Sequence, residues 1–211
     1  MKGVLDLLRR ATPSAGPAAP QDSVLFTTAF ADQGVDDSML VPWEARAAEV
    51  GAKRMPAARG VKLMQALWAR DKSMSRLDAG AVQRLESFFD FAHVAADRDL
   101  IRQEEYGNFM VVLLTGTIAV DRVQPWGERM RLTEARPGDI LGEMSLLDSG
   151  MRFSQCITVT DCEIAVLGAQ GLDEMMTSEP RLAAALVALL ARKLSMRLRV
   201  VGARLSDRKN P

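Results

Sequence analysis

Hydrophobic and polar residues divide the chain into a helical beginning, a strand-rich middle and a helical end. From Trp43 to Val50 and from Val61 to Arg70 the apolar residues recur at intervals of three and four, the spacing of a helix that faces a core. From Phe88 to about Val166 short apolar runs alternate with polar and turn residues, which predicts strands. The helical spacing returns after Pro180, a residue well suited to the first turn of a helix.

The strands of the middle region are short and closely spaced. The run Phe109–Leu114 predicts a buried strand, Gly116 ends it, and Pro125–Gly127 predicts a turn. Strands of this length and spacing are typical of a small antiparallel jelly roll or barrel. We therefore predict a mainly β domain with flanking helices (α+β), in which an antiparallel β-roll follows N-terminal helices and precedes a long C-terminal helix.

The residues before the first predicted helix lack a sustained apolar period. Ala11–Asp22 is rich in Ala, Pro, Gly and Ser, which predicts a linker, and Ser23–Val41 is either disordered or a tail that docks on the domain or on a partner. Pro56 and Gly60 punctuate the two helices that follow. The predicted parts are a flexible N-terminal segment (1–42), lead-in helices (43–76), and the β-roll with its long helix (77–211).

The long C-terminal helix carries an apolar stripe along its whole length. Covering the chain's own domain explains part of that stripe, but it continues farther than one small roll can cover. We therefore predict a homodimer that forms through this helix. The stripe consists of Leu182, Leu186, Leu189, Leu190, Leu194, Leu198, Val201 and Leu205.

Composition and charge narrow the function classes. The 27 basic and 27 acidic residues balance, so no global charge favours nucleic acid or an anionic membrane. No apolar run is long enough to span a bilayer, and Met1–Arg10 lacks the pattern of a secretory signal, so we predict a cytoplasmic protein. We predict no enzymatic activity, because no catalytic set with an activated nucleophile is present.

The cysteines and the histidine predict structural roles. Cys156 and Cys162 lie six positions apart in one predicted hairpin and are interpreted as reduced core residues. The only histidine, His93, is interpreted as a packed or half-exposed strand residue. No spacing of ligands for a metal ion is present, so we predict no metal site and no cofactor.

The segment Pro137–Ser154 contains the residues with the most distinctive chemistry. If Met144–Leu147 forms one helical turn, its free backbone N–H groups favour an anion such as a phosphate. Arg152 offers a planar fork of donors to the same anion, and Glu143 can accept a hydrogen bond from a sugar hydroxyl. Gly142 allows a close approach between ligand and backbone.

This segment resembles the phosphate-binding cassette of the cyclic nucleotide-binding domain family. The residues Leu141–Leu146 match the family's Phe-Gly-Glu-hydrophobic-Ala/Ser-Leu, and Arg152–Ser154 takes the place of its Arg-Ala/Ser/Thr-Ala. The resemblance implies that Glu143 binds the ribose 2′-hydroxyl and that Arg152, with the cassette amides, binds the cyclic phosphate. The expected ligand-binding residues are Gly142, Glu143, Met144, Ser145, Arg152, Phe153 and Ser154.

The resemblance extends from about residue 77 to residue 205, with two departures. Phe153 stands where the family has Ala, Ser or Thr, and Glu104–Glu105 replaces a Gly-Asp turn. Because glutamate tolerates a positive φ poorly, we expect a distorted hairpin at Glu104. The transcription factors of this kind append a helix-turn-helix, for which Gly202–Pro211 is too short, so we expect no sequence-specific DNA binding.

The resulting hypothesis is a bacterial-type, cytoplasmic sensor that binds a cyclic mononucleotide, with cyclic AMP (cAMP) favoured, and regulates an unidentified protein partner. Two alternatives stay open. In one, the cassette is vestigial, Phe153 fills the empty pocket, and the protein serves a structural or interaction role. In the other, the site binds a different nucleotide such as cyclic di-GMP.

Overall fold

In the computed structural model, which describes residues 25–69, 71, 74–76, 80 and 83–207, nine strands form two antiparallel sheets. One sheet has the order β1 (Lys53–Arg54), β2 (Asp90–Val94), β9 (Cys162–Gly168), β4 (Phe109–Thr115) and β7 (Ile140–Leu141). The other has the order β3 (Asp99–Ile101), β8 (Gln155–Thr158), β5 (Ile118–Val123) and β6 (Arg129–Ala135). Together they form the predicted β-roll.

Helices precede the roll, lie between β1 and β2 and between β7 and β8, and follow the last strand. The named α-helices are α1 (Leu25–Asp32), α2 (Trp43–Val50), α3 (Ala57–Trp68), α4 (Glu143–Asp148), α5 (Ala169–Ser178) and α6 (Pro180–Asp207). Short 3₁₀ turns lie at Asp37–Met39, Met74–Arg76 and Arg84–Ser87. This arrangement confirms the predicted fold class.

Strand β4 is buried on both of its faces, which explains its unbroken apolar sequence. Phe109, Val111 and Leu113 point into the interior between the sheets, whereas Met110 and its same-face neighbours join a second core with helices α3, α5 and α6. Because successive side chains of a strand point to opposite faces, such a strand needs apolar residues at every position. On one side of β4, Val111 pairs with Leu141 of β7, and this pairing places the cassette at the sheet edge.

The N-terminal region from residue 25 onward is ordered and docked, whereas the sequence predicted a flexible segment over 1–42. Phe30 of α1 is buried, and the carboxylate of Asp173 in α5 accepts hydrogen bonds from the backbone N–H and the hydroxyl of Thr27 at 2.9 and 2.7 Å. A carboxylate at the first turn of a helix satisfies N–H groups that have no partner within the helix. The tail that docks on the domain is therefore the alternative that the structure favours.

Gly60 lies inside α3 and does not separate two segments as predicted. A Cβ atom at this position would lie 2.0 Å from Cδ1 of Phe91, so only glycine allows the helix to approach the ring of Phe91. Close packing against β2 thus outweighs the lower helix propensity of glycine.

The two cysteines do not share a hairpin, which corrects that part of the prediction. Cys156 lies on β8 and Cys162 on β9, and these strands belong to different sheets. The chain crosses from one sheet to the other at Thr160–Asp161, and Cys162 pairs with Val94 of β2. Both thiols are free and buried, as predicted.

Helix α6 divides the predicted apolar stripe into two parts. Leu182, Leu186 and Leu190 are buried in the core beneath the roll, whereas Leu198 and Val201 are exposed. The helix thus covers its own domain only over its first half. Within the described residues, no helix combines the length and apolar character needed to cross a membrane.

Candidate ligand-binding site

The cassette begins where strand β7 ends. Gly142 adopts a positive φ of 75° and turns the chain from β7 into the short helix α4, which starts at Glu143. A Cβ atom at Gly142 would lie 2.5 Å from Nη1 of Arg152, so a side chain here would displace the arginine. Glycine is therefore required both for the turn and for the close approach of Arg152.

Two other predicted ligand-binding residues lie in the first turns of α4. Met144 faces solvent, whereas Ser145 is buried.

Glu143 is almost completely buried and already has a cationic partner. Its side chain is only 4% exposed and forms an ion pair with Arg197, which reaches the cassette from the second half of α6. Arg197 also donates to the carbonyl oxygen of Ile140 at 2.6 Å. Burial raises the pKa of Glu143, and the nearby Arg197 partly offsets that effect. The expected hydroxyl acceptor is thus held by the long helix.

Arg152 is equally buried but has only neutral partners. It is 3% exposed, and its Nη1 and Nη2 donate to the carbonyl oxygens of Gly142 and Phe109, each at 2.7 Å. Its guanidinium carbon lies 4.6 Å from the centre of the Phe109 ring. Burial lowers the pKa of Arg152 to about 10, which still leaves it cationic at neutral pH. Among the described residues no carboxylate forms an ion pair with it, so its charge is solvated by carbonyl dipoles and an aromatic face.

Gly107 provides the space that the Arg152 guanidinium occupies. A Cβ atom there would lie 2.7 Å from Nη2 of Arg152. Together with Gly142, this glycine leaves room for the arginine on two sides. The sequence analysis did not identify Gly107, because a glycine between Tyr106 and Asn108 has the appearance of an ordinary loop residue.

The loop that contains Glu104 is retained despite the missing glycine. Glu104 takes up a positive φ of 66°, the conformation that the family's glycine adopts at low cost. Its backbone N–H donates to the carbonyl of Arg152 at 2.9 Å, and the N–H of Arg152 donates to the carbonyl of Glu105 at 2.8 Å. These two bonds hold the strained residue in place and fix the backbone of Arg152.

Phe153 lies at the surface beside Arg122, whereas the vestigial-cassette alternative places its ring in the pocket. Its side chain is 49% exposed, and the guanidinium carbon of Arg122 lies 4.1 Å from the ring centre. Arg122 also donates to the carbonyl oxygen of Phe153. Ser154 follows as a half-buried residue that hydrogen-bonds the thiol of Cys156, whose pKa is raised to about 12 by burial. The structure therefore leaves the aromatic ring at the surface.

Three contributors to the site escaped the sequence analysis besides Gly107. Arg197 was given no role in the site, although Lys193 and Arg197 lie four residues apart and so share one side of α6. Lys193 donates to the carbonyl of Gly138 at 2.9 Å, which adds a second contact from the same helix. Phe109 was identified as a strand residue but not as the platform beneath Arg152. The four-residue spacing of Lys193 and Arg197 was the sequence signal that could have identified this pair.

Among the described residues, no group of three or more His, Cys, Asp and Glu side chains is arranged to hold a metal ion. His93 is part of β2, partly exposed, with Nε2 3.8 Å from Asp161. Its position confirms the interpretation as a strand residue. The binding of an anion at Arg152 and of a hydroxyl group at Glu143 stays a prediction.

Comparison with known proteins assigns the domain to a family. Residues 91–179, which contain the cassette and eight of the nine strands in part or in full, match the family model described as the cyclic nucleotide-binding domain. This segment belongs to the cyclic nucleotide-binding domain family. A cyclic nucleotide-binding domain from Methylobacillus flagellatus has the same fold, with a TM-score of 0.67 at 22% identity, over 72% of this chain and 85% of that one.

Relatives of known name are regulators. The chain is 30% identical over 108 residues to a protein named cyclic AMP receptor protein from Thermus thermophilus, a match that covers 51% of this chain and 50% of the relative. The fold also occurs in the regulatory subunit of a cAMP-independent protein kinase A from Trypanosoma brucei, with a TM-score of 0.53 at 18% identity, over 65% of this chain and 48% of that one. The chain spans about half the length of the receptor protein that it matches.

Proposed function

We propose that this protein is a sensor that binds a cyclic mononucleotide, with cyclic AMP favoured over cyclic GMP, and passes the signal to a protein partner. The family membership of residues 91–179 supports a role in cyclic nucleotide sensing. The name of the Thermus thermophilus relative supports cyclic AMP as the ligand to test first. The proposal includes a cytoplasmic location and no catalytic activity of the chain itself.

The observation that carries this proposal is the state of Arg152. A buried cation costs free energy unless it is paired, and this one has only carbonyl oxygens and a ring face as partners. A phosphate that takes over these donors replaces neutral dipoles with a formal counter-charge, and the guanidinium fork matches two phosphate oxygens. The site therefore gains electrostatic stabilisation specifically from an anionic ligand.

Glu143 provides the second recognition element, on the other side of the cassette. The Arg197 ion pair holds its carboxylate in place, and a carboxylate has more acceptor capacity than one guanidinium uses. A ribose hydroxyl can therefore donate to Glu143 while Arg197 retains its contact. A ligand that carries both a phosphate and a neighbouring hydroxyl meets both requirements.

The preference for cyclic AMP rests on Phe153. Guanine-preferring members of the family often use a Thr hydroxyl immediately after the arginine, and the phenyl ring has no hydrogen-bonding group to replace it. The ring itself lies at the surface beside Arg122. We accordingly expect cyclic AMP to bind more tightly than cyclic GMP.

The proposed assembly is a homodimer through the exposed side of α6. A groove of about 420 Å³ lies on this side, and Leu194, Leu198 and Val201 follow its last lining residue, Ala191, at intervals of three and four. An apolar face with that spacing fits a second copy of the same helix. The groove is lined by Met176, Pro180, Ala184, Val187, Ala188 and Ala191. The absence of sequence-specific DNA binding by this chain stays a prediction.

Isothermal titration calorimetry with cyclic AMP and cyclic GMP tests the proposed function. We expect the native protein to bind most tightly, Glu143→Ala to lose roughly 1.5–3 kcal/mol, and Arg152→Ala to lose roughly 3–5 kcal/mol of binding free energy. Arg152→Lys keeps the charge without the fork and should fall between native and Arg152→Ala. Arg59→Ala removes an arginine that pairs with Glu163 outside the cassette and serves as the control.

Binding of Arg152→Ala as tight as native binding would show that the phosphate lies elsewhere. No heat with either mononucleotide at millimolar concentration would favour the vestigial cassette, or another nucleotide if cyclic di-GMP raises the melting temperature. The ion pair that Glu143 already forms with Arg197 is the observation that favours a vestigial site. The cAMP-independent kinase subunit shows that the fold alone does not decide between these outcomes.

A further inference from the structure

We infer that helix α2 is part of the ligand site, because Trp43 and Arg46 position the anion-binding Arg152. The inference rests on the proposed function and extends it to a region outside the family match, which begins at residue 91. It assigns a role in ligand affinity to a helix that the sequence analysis treated only as a lead-in to the domain.

The first step is an aromatic contact. The rings of Trp43 and Phe109 meet edge to face, with centroids 5.7 Å apart and an interplanar angle of 61°. Phe109 in turn lies beneath the Arg152 guanidinium and accepts a hydrogen bond from it through its backbone carbonyl. Edge-to-face pairs fix the orientation of both rings, so Trp43 sets the platform on which Arg152 rests.

The second step is an ion pair that leads to the backbone of Arg152. Arg46 is 1% exposed and donates to the carboxylate of Glu105, as well as to Glu49 at 2.7 Å. The carbonyl of the same Glu105 accepts the backbone N–H of Arg152 at 2.8 Å. Arg46 therefore holds, through Glu105, the main chain from which the Arg152 side chain projects.

The charges of the two arginines differ in how they are compensated. Arg46, which is 1% exposed against 3% for Arg152, forms ion pairs with Glu49 and Glu105. Its guanidinium lies close enough to Arg152 to disfavour the cationic form of Arg152. The Nε atom of Arg46 is buried with no hydrogen-bond partner among the described residues. Because two carboxylates compensate Arg46, the charge that an anion would meet at this site is that of Arg152.

The segment before α2 is also fixed to this loop. Leu40 forms a parallel bridge with Tyr106, and the N–H of Val41 donates to the carbonyl of Tyr106 at 2.9 Å. These bonds set the position at which α2 starts, next to Glu105. Since any effect of α2 on ligand affinity must be matched by an equal effect of the ligand on α2, ligand binding should alter the surroundings of Trp43.

Two measurements on the full chain test the inference. In the first, protein labelled with 5-fluorotryptophan is titrated with cyclic AMP, and the ¹⁹F resonances are assigned with Trp43→Phe and Trp126→Phe. We expect the Trp43 resonance to shift at saturation while that of Trp126, which is 72% exposed at a hairpin tip, stays constant. This shift would not arise if Trp43 only stabilised the fold.

In the second, calorimetry compares Arg46→Gln with Arg59→Gln, an exposed arginine on α3. Arg46→Gln should weaken cyclic AMP binding about tenfold, and Arg59→Gln should leave it unchanged. An unshifted Trp43 resonance in protein that calorimetry shows to be saturated, or native affinity in Arg46→Gln, would overturn the inference alone. No binding of either mononucleotide by the native protein would overturn the proposed function, and this inference with it.

Discussion

The two halves of α6 come from one continuous helix but face different surroundings. The first half buries Leu182, Leu186 and Leu190 beneath the roll. The second half leaves Leu198 73% exposed, while Lys193 and Arg197 reach the region of the cassette. The first half therefore holds the domain together through buried leucines, whereas Lys193 and Arg197 bind the rest of the helix to the domain through hydrogen bonds and ion pairs.

This difference suits a helix that transmits a signal. Burial of leucines is independent of ligand, so the first half should stay in place. The polar contacts of Lys193 and Arg197 end at Asp139, at Glu143 and at the backbone of residues 138 and 140, next to the residues predicted to bind the ligand. A ligand that changes these contacts shifts the equilibrium position of the second half of α6, and with it the exposed apolar face of that half.

The largest expected effect is a difference in unfolding free energy between variants in the two halves of α6. Leu186→Ala removes a fully buried side chain and should lower the free energy of unfolding by about 2–5 kcal/mol. Met196→Ala, on the exposed second half, should change it by less than about 0.5 kcal/mol. Urea unfolding followed by circular dichroism measures both. Equal losses would show that the second half is also packed in solution.

The next effect concerns association through the second half. Glutamates at Leu194 and Leu198 place unpaired charges in the proposed apolar seam, where their desolvation is costly. We expect Leu194→Glu/Leu198→Glu to weaken the dimer at least about 100-fold and to leave the fold intact. Light scattering over a concentration series gives the mass.

The control for association is Met196→Glu, which adds a charge on the same exposed half. At 100° per residue, Met196 lies on the opposite side of the helix from Leu194 and Leu198. Met196→Glu should keep the native mass. If the double variant also keeps the native mass, Leu194 and Leu198 do not lie in the dimer interface.

Periodicity was sufficient to predict the fold, because the roll and its helices follow from local patterns. The apolar run at Phe109–Leu114 and the turn at Pro125–Gly127 gave strands in the observed places. The docking of α1 escaped prediction, since it depends on Asp173, which is far away in sequence. The assignment of Cys156 and Cys162 to one hairpin was wrong because a sequence pattern does not show when the chain changes sheets.

The cassette was predictable as a motif but not as an arrangement of partners. The sequence identified Glu143 and Arg152, whose roles as ligand-binding residues stay predictions. Their present partners come from other parts of the chain, namely Arg197 from α6 and the carbonyl of Phe109 from β4. Pairings between distant segments require tertiary structure, so the difference between a paired carboxylate and an unpaired arginine could not be predicted.

A smaller effect is expected when the second half loses its ionic contact. Arg197→Gln removes the cation that faces Glu143, and because Arg197 is 45% exposed we expect a loss of only roughly 1–2 kcal/mol of unfolding free energy. Amide hydrogen exchange after residue 191 should become faster, while exchange at Leu182–Leu190 stays slow. Arg199→Gln, also exposed on the second half, is the matched control. Unchanged exchange in Arg197→Gln would show that this contact does not hold the helix.

The smallest effect is a pH dependence that Glu143 introduces. Burial raises its pKa above the ordinary value of 4.5, only partly offset by Arg197. The folded chain therefore holds this proton more tightly than the unfolded chain, so the group's stabilising contribution is complete below pH 4.5 and is lost as the pH rises through the folded-state pKa. Glutamine cannot ionise, so residue 143 in Glu143→Gln makes no pH-dependent contribution to the free energy of unfolding.

The measurable quantity is the difference in unfolding free energy between Glu143→Gln and the native protein. We expect this difference to move in favour of the variant as the pH rises from about 4 to about 7. Urea unfolding at a series of pH values measures it, and Glu174→Gln, at an exposed position on α5, should show no such trend. If the difference instead moves in favour of the native protein, ionised Glu143 gains more from Arg197 than it loses by burial. The ion pair would then hold the second half of α6 more firmly than its exposure indicates.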